Sequence, residues 1–167
     1  MRTVPLLCVC GKSGVGKTTV VRATGLREVI SYTTRPIREG EQDGYDYHFR
    51  THEWMFEHRD LFKLDWKTFG EHIYGATDDD VNNCEIMVIT LDSAIELRNL
   101  GVLVYIVWLD GPIRSSRNRK VDVDNGAELM AEVDRILVND GSVERTAAEL
   151  VRIQSSLIIV ADALRND

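Results

Sequence analysis

Residues 11–18 read Gly-Lys-Ser-Gly-Val-Gly-Lys-Thr and match the pattern G-x-x-x-x-G-K-[ST]. The match follows an apolar run at residues 4–10, which predicts a buried strand, and precedes helical spacing at residues 17–26. In that setting the glycines let successive backbone N–H groups converge on phosphate oxygens, and the helix points the positive end of its dipole at them. The stretch therefore predicts a phosphate-binding loop of the Walker A type.

The residue types in this loop indicate what it binds. We expect Lys17 to reach the β and γ phosphates, and Thr18 to give its hydroxyl oxygen to Mg²⁺. The implied phosphoryl donor is ATP with magnesium. The predicted ATP-binding residues of the loop are Gly11, Ser13, Gly14, Val15, Gly16, Lys17, Thr18 and Thr19, with Thr18 as the metal ligand.

Beyond the loop, strand-like and helical segments alternate along the chain. Apolar runs at 86–91, 102–108 and 136–138 are typical of strands covered on both faces, and helical spacing recurs at 93–100 and 142–154. Alternation of this kind predicts an α/β fold, a parallel sheet flanked by helices as in P-loop NTPases.

Two segments interrupt the alternation. Residues 33–76 contain turn formers and short mixed runs, and predict a small antiparallel insertion. Residues 110–126 are polar and basic without apolar periodicity, and suit a loop or lid. We expect one domain over 1–167, with its core at 1–32 and 77–167.

Composition excludes several classes of function. Acidic residues outnumber basic ones 27 to 20 in this chain of 167 residues, and the formal charge of −7 opposes binding to nucleic acid or anionic membranes. No apolar run approaches the roughly 20 residues that span a bilayer, and the N-terminus lacks a signal-peptide pattern. Three cysteines cannot all pair, so we expect buried thiols and a cytoplasmic protein.

Residues 31–49 read Ser-Tyr-Thr-Thr-Arg-Pro-Ile-Arg-Glu-Gly-Glu-Gln-Asp-Gly-Tyr-Asp-Tyr-His-Phe, and here the chain resembles guanylate kinases. Asp65-Trp66 and Ile73-Tyr74-Gly75 are similar to later family segments, as is the stretch 136–140, Ile-Leu-Val-Asn-Asp. Together with the phosphate loop, four motifs in the family's order extend from residue 4 to about 155.

The resemblance implies transfer of the γ-phosphoryl group of ATP to GMP or dGMP, giving ADP and GDP. It assigns the acceptor phosphate to Arg35, Arg38, Tyr47 and Tyr74. Two arginines three residues apart can make charge-assisted bidentate bonds to one phosphate, and tyrosine hydroxyls add neutral donors. The alternative is a solvated turn with exposed arginines.

For the base, the resemblance implies recognition by Ser31, Asp65 and Asp92. The chain departs from the family pattern at two positions that bear on base selection: Asp65 stands where the family usually has Glu, and Ala76 replaces a small hydroxyl residue. Asp65 has the alternative of a surface acid on a strand. Asp92, predicted to end the strand 86–91, has the alternative of capping the next helix.

The resemblance further implies lid arginines that close on the ATP phosphates, and Arg117 and Arg119 are the candidates; a basic solvated loop is the alternative. Asn139 is expected on the adenine side of ATP, or as a turn former before Gly141. The predicted catalytic residues are Lys17, Arg35, Arg38, Arg117 and Arg119.

Two other functions remain open from the sequence. One is a kinase of the same build that acts on another nucleoside monophosphate, deoxynucleotide or ribose phosphate. The other is a binding module that has lost catalysis and recognises a phosphorylated partner with the same arginines.

Overall fold

The computed structural model of the chain describes residues 2–113 and 127–165. Two compact units are present: Met1–Glu28 with Glu85–Asp167, here called the core unit, and Val29–Cys84, here called the inserted unit. The core unit contains the strands β1 (Leu6–Cys10), β6 (Ile86–Val88), β7 (Val104–Asp110) and β8 (Arg135–Val138), and the helices α1 (Lys17–Ala23), α4 (Leu91–Asn99), α5 (Ala127–Met130) and α6 (Val143–Ala163). The inserted unit contains the strands β2 (Tyr32–Thr33), β3 (His48–Phe49), β4 (Asp65–Phe69) and β5 (His72–Ala76), the helices α2 (His52–Glu57) and α3 (Asp78–Asn83), and a 3-10 helix (Arg59–Leu61).

The core unit is built on a parallel sheet with the strand order β6-β1-β7-β8. All five residues of β1 are fully buried, which explains why its sequence is continuously apolar. Residues of α1 and α6 pack with β1 and β7 in one hydrophobic cluster, and α4 also packs against β1 and β7. The predicted parallel sheet flanked by helices is confirmed.

The inserted unit has a second sheet with the order β3-β2-β5-β4. Its β2–β5 and β5–β4 pairs are antiparallel, whereas β2 and β3 are parallel. The predicted antiparallel insertion thus holds for two of the three strand pairs and differs at the β2–β3 pair. A parallel pair needs a connection of about a dozen residues or more, and the long segment 34–47 between β2 and β3 supplies it.

Two element boundaries differ from the predicted ones. The strand predicted at 86–91 ends at Val88, because Thr90 is the N-cap residue of α4 and Leu91 begins that helix as a buried residue. The helix predicted at 142–154 extends to Ala163, although its buried residues all lie between Thr146 and Gln154. Burial marks where a helix packs and does not mark where it ends.

Among the helices of residues 2–113 and 127–165, none combines the length and apolar character needed to cross a membrane.

Candidate active site

The phosphate loop connects the end of β1 to the start of α1. Three of its glycines have positive φ, with values of 146° at Gly11, 82° at Gly14 and 96° at Gly16. A Cβ atom on Gly11 would lie 2.3 Å from the backbone oxygen of Leu109. The loop thus rests against the end of β7 and adopts a backbone conformation that favours glycine.

Lys17 is the first residue of α1, and its ammonium group folds back over the loop. Nζ donates to the backbone oxygen of Gly11 at 2.7 Å and to that of Lys12 at 2.9 Å. Burial raises the pKa of the neighbouring Cys10 thiol well above its usual value, and the positive charge of Lys17 opposes this rise. The positively charged ammonium group of Lys17 therefore lies beside the phosphate loop.

Thr18 and Thr19 are exposed in the first turn of α1, and Ser13 is partly exposed within the loop. In the part of the chain that the structure describes, no three His, Cys, Asp or Glu side chains could together hold a metal ion. A lone hydroxyl ligand suits Mg²⁺, which prefers oxygen ligands and keeps waters and substrate phosphates among them. The residues present thus fit a magnesium ion that is held mainly through a nucleotide.

Asn139 follows β8 and is only 2% exposed. Its Nδ2 donates to the backbone oxygen of Val15 at 2.8 Å, and its Oδ1 accepts the backbone N–H of Gly141 at 3.3 Å. The side chain expected on the adenine side of ATP therefore contacts the phosphate loop itself, and it also makes the expected turn contact with Gly141.

Asp92 is exposed in the first turn of α4, and its negative charge contributes to the raised pKa of Cys10. The carboxylate therefore lies near the end of β1. The alternative that Asp92 caps the helix was wrong, because Thr90 occupies the N-cap position.

Arg35 is the most constrained of the predicted phosphate-binding residues. Its side chain is 6% exposed, and its guanidinium forms a bidentate ion pair with Glu41, Nη1 to Oε2 at 3.0 Å and Nη2 to Oε1 at 2.9 Å. Nη1 also donates to the backbone oxygen of Pro36 at 2.7 Å. The alternative of a solvated turn with exposed arginines was wrong for Arg35.

The charges of this pair stabilise each other. Burial by itself lowers the pKa of the Arg35 guanidinium, but the hydrogen bond and charge of Glu41 raise it above its usual value. Burial likewise raises the pKa of Glu41, and the Arg35 hydrogen bond together with the backbone N–H of Arg38 brings it below the usual value. Both groups are therefore firmly ionised at neutral pH.

Aromatic residues surround the guanidinium of Arg35. Its central carbon lies 5.5 Å from the ring centroids of both Tyr47 and Phe49, within cation–π range. Tyr74 also contributes to the raised pKa of Arg35, and its ring centroid is 6.0 Å from that of Tyr47. The structure thus brings three of the four predicted phosphate residues together.

Arg38, the fourth predicted phosphate-binding residue, contacts this cluster through its backbone. Its side chain is exposed, and its backbone N–H donates to Oε2 of Glu41 at 2.8 Å. Glu41 therefore ties the main chain at Arg38 to the guanidinium of Arg35.

Three residues are predicted to recognise the base of the acceptor nucleotide. Two of them lie at strands of the inserted unit, and the third lies in α4 of the core unit. Ser31 precedes β2, and its backbone oxygen accepts the N–H of His48 at 2.9 Å. Asp65 begins β4 and is 8% exposed, so its alternative as a surface acid was wrong. Asp65 pairs with Ala76 of β5. The two departures from the family pattern are therefore cross-strand neighbours.

Gly75 allows the approach of these strands. A Cβ atom at this position would lie 2.6 Å from the backbone oxygen of Asp65 and 3.2 Å from the Phe62 ring. The glycine after Tyr74 is thus required by packing next to Asp65.

Comparison with known proteins places the chain in a family. The protein-family model for guanylate kinase matches residues 5–92, more than half of the 167 residues. This chain belongs to the guanylate kinase family. The resemblance read from the sequence is confirmed, and with it the class of enzyme, a nucleoside monophosphate kinase.

Individual guanylate kinases match over most of the chain. The enzyme of Sulfurimonas denitrificans is 28% identical over 98% of this chain and 90% of the relative. That of Thermotoga maritima is 32% identical over 77% of this chain and 67% of the relative. The crystal structure of guanylate kinase from Anaplasma phagocytophilum superposes with a TM-score of 0.67 at 19% identity, covering 93% of this chain and 87% of the other, and supports the same fold.

The predicted lid arginines of this guanylate kinase family member, Arg117 and Arg119, lie outside the described residues, as does most of the lid predicted at 110–126.

Sequence reasoning missed Glu41, which organises the arginine cluster. The available signal was an acid three residues after Arg38 and six after Arg35, in a segment already singled out for its arginines. It also missed the contact between Asn139 and Val15, for which the sequence carries no local signal because the two residues are 124 positions apart.

Proposed function

We propose that this chain transfers the γ-phosphoryl group of ATP to GMP or dGMP and releases ADP with GDP or dGDP. The observation that carries the proposal is the buried guanidinium of Arg35, held beside the hydroxyl-bearing rings of Tyr47 and Tyr74 in a member of the guanylate kinase family. A cationic group flanked by tyrosine hydroxyls suits a phosphate monoester.

The donor half of the proposal rests on the core unit. Backbone N–H groups of the loop and the ammonium of Lys17 bind the ATP phosphates. When bound, Mg²⁺ supplies charge neutralisation on the same phosphate oxygens, and Thr18 is the described residue that would hold it. Arg117 and Arg119 are proposed to add positive charge there.

The acceptor half rests on the inserted unit. Arg35 and Arg38 bind the GMP phosphate as cations, and Tyr47 and Tyr74 orient it through their hydroxyls. Because the second pKa of a phosphate monoester is near 6, that phosphate is mostly dianionic at pH 7 and needs no general base. One of its oxygens forms the new bond to the γ phosphorus while the bond to the bridging β–γ oxygen breaks, and that oxygen leaves with ADP.

Rate enhancement in this reaction comes from alignment and charge. Two polyanions must be held in line, and their repulsion must be offset by cations fixed in advance. Arg35 meets the second requirement, because Glu41 holds its guanidinium in one orientation before substrate binds.

Base selection is proposed to depend on Ser31, Asp65 and Asp92. A buried carboxylate such as that of Asp65 accepts hydrogen bonds from the ring N–H and amino group of guanine, which adenine and cytosine do not offer in the same pattern. A site that demands such bonds discriminates strongly against bases that lack them.

The test is acceptor-dependent ADP formation with GMP, dGMP, AMP, CMP and dTMP side by side. We expect GMP and dGMP to be preferred by about tenfold or more. Equal rates with all five contradict the assignment of guanine, and preference for another acceptor identifies a different monophosphate kinase.

A pair of lysine variants separates a kinase from a binding module. Lys17→Ala is expected to lose about two orders of magnitude in rate while its melting temperature stays close to that of the parent. Lys63→Ala, which removes an exposed lysine of the inserted unit, serves as the control and should retain full activity. A parent that binds GMP without any turnover is instead a binding module.

A further inference from the structure

Asn139 is buried against the phosphate loop. Its Nδ2 donates to the backbone oxygen of Val15 at 2.8 Å, in a bond between buried atoms that joins the end of β8 to the loop. We propose that Asn139 is a positioning residue, which sets the orientation of the Val15–Gly16 peptide so that the loop binds a triphosphate whatever its base. The inference rests on the proposed function, because it concerns the binding of the phosphoryl donor.

The geometry of the amide leaves little for an adenine ring to contact. Asn139 is 2% exposed, with Nδ2 bonded to Val15 and Oδ1 bonded to the N–H of Gly141 at 3.3 Å. A hydrogen bond to adenine would have to reach the second N–H or the second lone pair of a side chain that is almost fully covered by protein. The side chain is therefore placed to act on the loop.

Peptide planarity carries the effect of this bond to the other side of the loop. The described part of the chain has no cis peptide bonds, and in a trans peptide the C=O and the following N–H point in opposite directions. When Asn139 holds the C=O of Val15, the N–H of Gly16 is directed away from Asn139. That N–H belongs to the set that a Walker A loop offers to phosphate oxygens.

Gly16 itself packs against the same amide. A Cβ atom on Gly16 would lie 2.8 Å from Nδ2 of Asn139, and the residue has a φ of 96°. Asn139 therefore contacts both residues of the peptide, through a hydrogen bond on Val15 and through packing on Gly16.

The backbone of Asn139 is also firmly held. Its N–H donates to the backbone oxygen of Asp110 at 2.8 Å, and its own oxygen would lie 2.6 Å from a Cβ atom on Gly111. Since the adjoining strands β7 and β8 are paired in the sheet, the amide is mounted on a rigid part of the core unit. Rigid mounting is what allows one side chain to preset a loop.

The test compares Asn139→Asp and Asn139→Ala with the parent in binding of ATP, CTP and inorganic tripolyphosphate, each with Mg²⁺, by calorimetry. Asn139→Asp keeps the size of the side chain and replaces the donor with an oxygen that repels the carbonyl of Val15. We expect both variants to lose about tenfold in affinity, by the same factor for all three ligands, while GMP affinity stays within about twofold. Asn139→Ala keeps the test available if the charged variant does not fold.

Ser142→Ala provides a matched control for lost stability. Ser142 caps α6, and its side chain accepts the N–H of Arg145 at 3.2 Å, so the variant weakens the same region without touching the loop contact. A loss of affinity confined to ATP overturns the proposal in favour of a base contact. The Asn139 variants and Ser142→Ala are compared at an equal drop in melting temperature. If the Asn139 variants then lose no more ligand affinity than Ser142→Ala does, the proposal is overturned in favour of a purely structural role.

These binding measurements do not require the protein to be catalytically active. The proposed function and the proposed role of Asn139 can therefore fail separately. A parent that binds all three ligands but transfers no phosphoryl group contradicts the proposed function, and the binding ratios still decide the role of Asn139. A parent that binds none of the three overturns both.

Discussion

Glu41 holds both terminal nitrogens of Arg35 in a bidentate ion pair, with N–O distances of 3.0 and 2.9 Å. The same carboxylate accepts the backbone N–H of Arg38 at 2.8 Å. The protein therefore restricts the Arg35 side chain before any phosphate arrives, and the entropy of ordering a long side chain is lost on folding instead of on binding.

Replacing Glu41 should release the Arg35 side chain from the orientation in which the ion pair holds it. Glu41→Gln keeps the shape but removes the charge and one acceptor, so we expect a loss of about 1–3 kcal/mol in the free energy of unfolding. The KM for GMP should rise by about tenfold because Arg35 is no longer held, while the KM for ATP stays unchanged. Glu39→Gln, at an exposed neighbouring acid, is the control for the charge change. An unchanged KM for GMP would show that Glu41 serves stability alone.

The ion pair also predicts a pH dependence of stability. The folded chain lowers the pKa of Glu41, so the native state binds that proton more weakly than the unfolded state does. The stabilisation is therefore full above the ordinary glutamate pKa of about 4.3 and is lost as the pH falls through the lower folded value. Urea unfolding of the parent and Glu41→Gln across this range should give two curves that differ most at pH 7 and converge in acid. Asp43, whose pKa is also lowered, is common to both proteins and cancels in the difference.

Gly75 should tolerate no side chain. Gly75→Ala places a methyl group 2.6 Å from the backbone oxygen of Asp65, and a strand backbone cannot move away cheaply. We expect a loss of about 1–3 kcal/mol by chemical denaturation. Gly70→Asn in the β4–β5 turn is the matched control, because a Cβ there meets nothing within 4 Å and asparagine tolerates the φ of 61°. Equal stability of the two variants would refute the packing argument.

Asp65 should govern the preference for guanine. Asp65→Asn keeps the volume but replaces a charged acceptor, so we expect the KM for GMP to rise between about tenfold and a hundredfold. The low rate with AMP should not fall, because adenine does not use that acceptor. Asp60→Asn, at an exposed acid of the 3-10 helix, controls for the lost charge. If both variants behave alike, base recognition lies elsewhere.

Predictions from the sequence succeeded where neighbours along the chain determine the outcome. The phosphate loop lies between β1 and α1 as expected, because strand, glycines and helix are contiguous. The parallel sheet followed from continuously apolar runs, since a strand buried on both faces has no polar side. Boundaries were less accurate, as at Leu91, which is apolar enough for a strand yet begins α4.

The amino-acid sequence by itself determined the Walker A loop, the α/β architecture and the arginine-bearing segment, because each depends on residue types at short spacings. Only the tertiary structure decided that Arg35 is buried on Glu41, that Asp65 and Ala76 are cross-strand partners, and that Asn139 bonds to Val15. Such contacts arise when distant segments are packed by burial of apolar surface, and that packing depends on the whole chain and not on any local pattern.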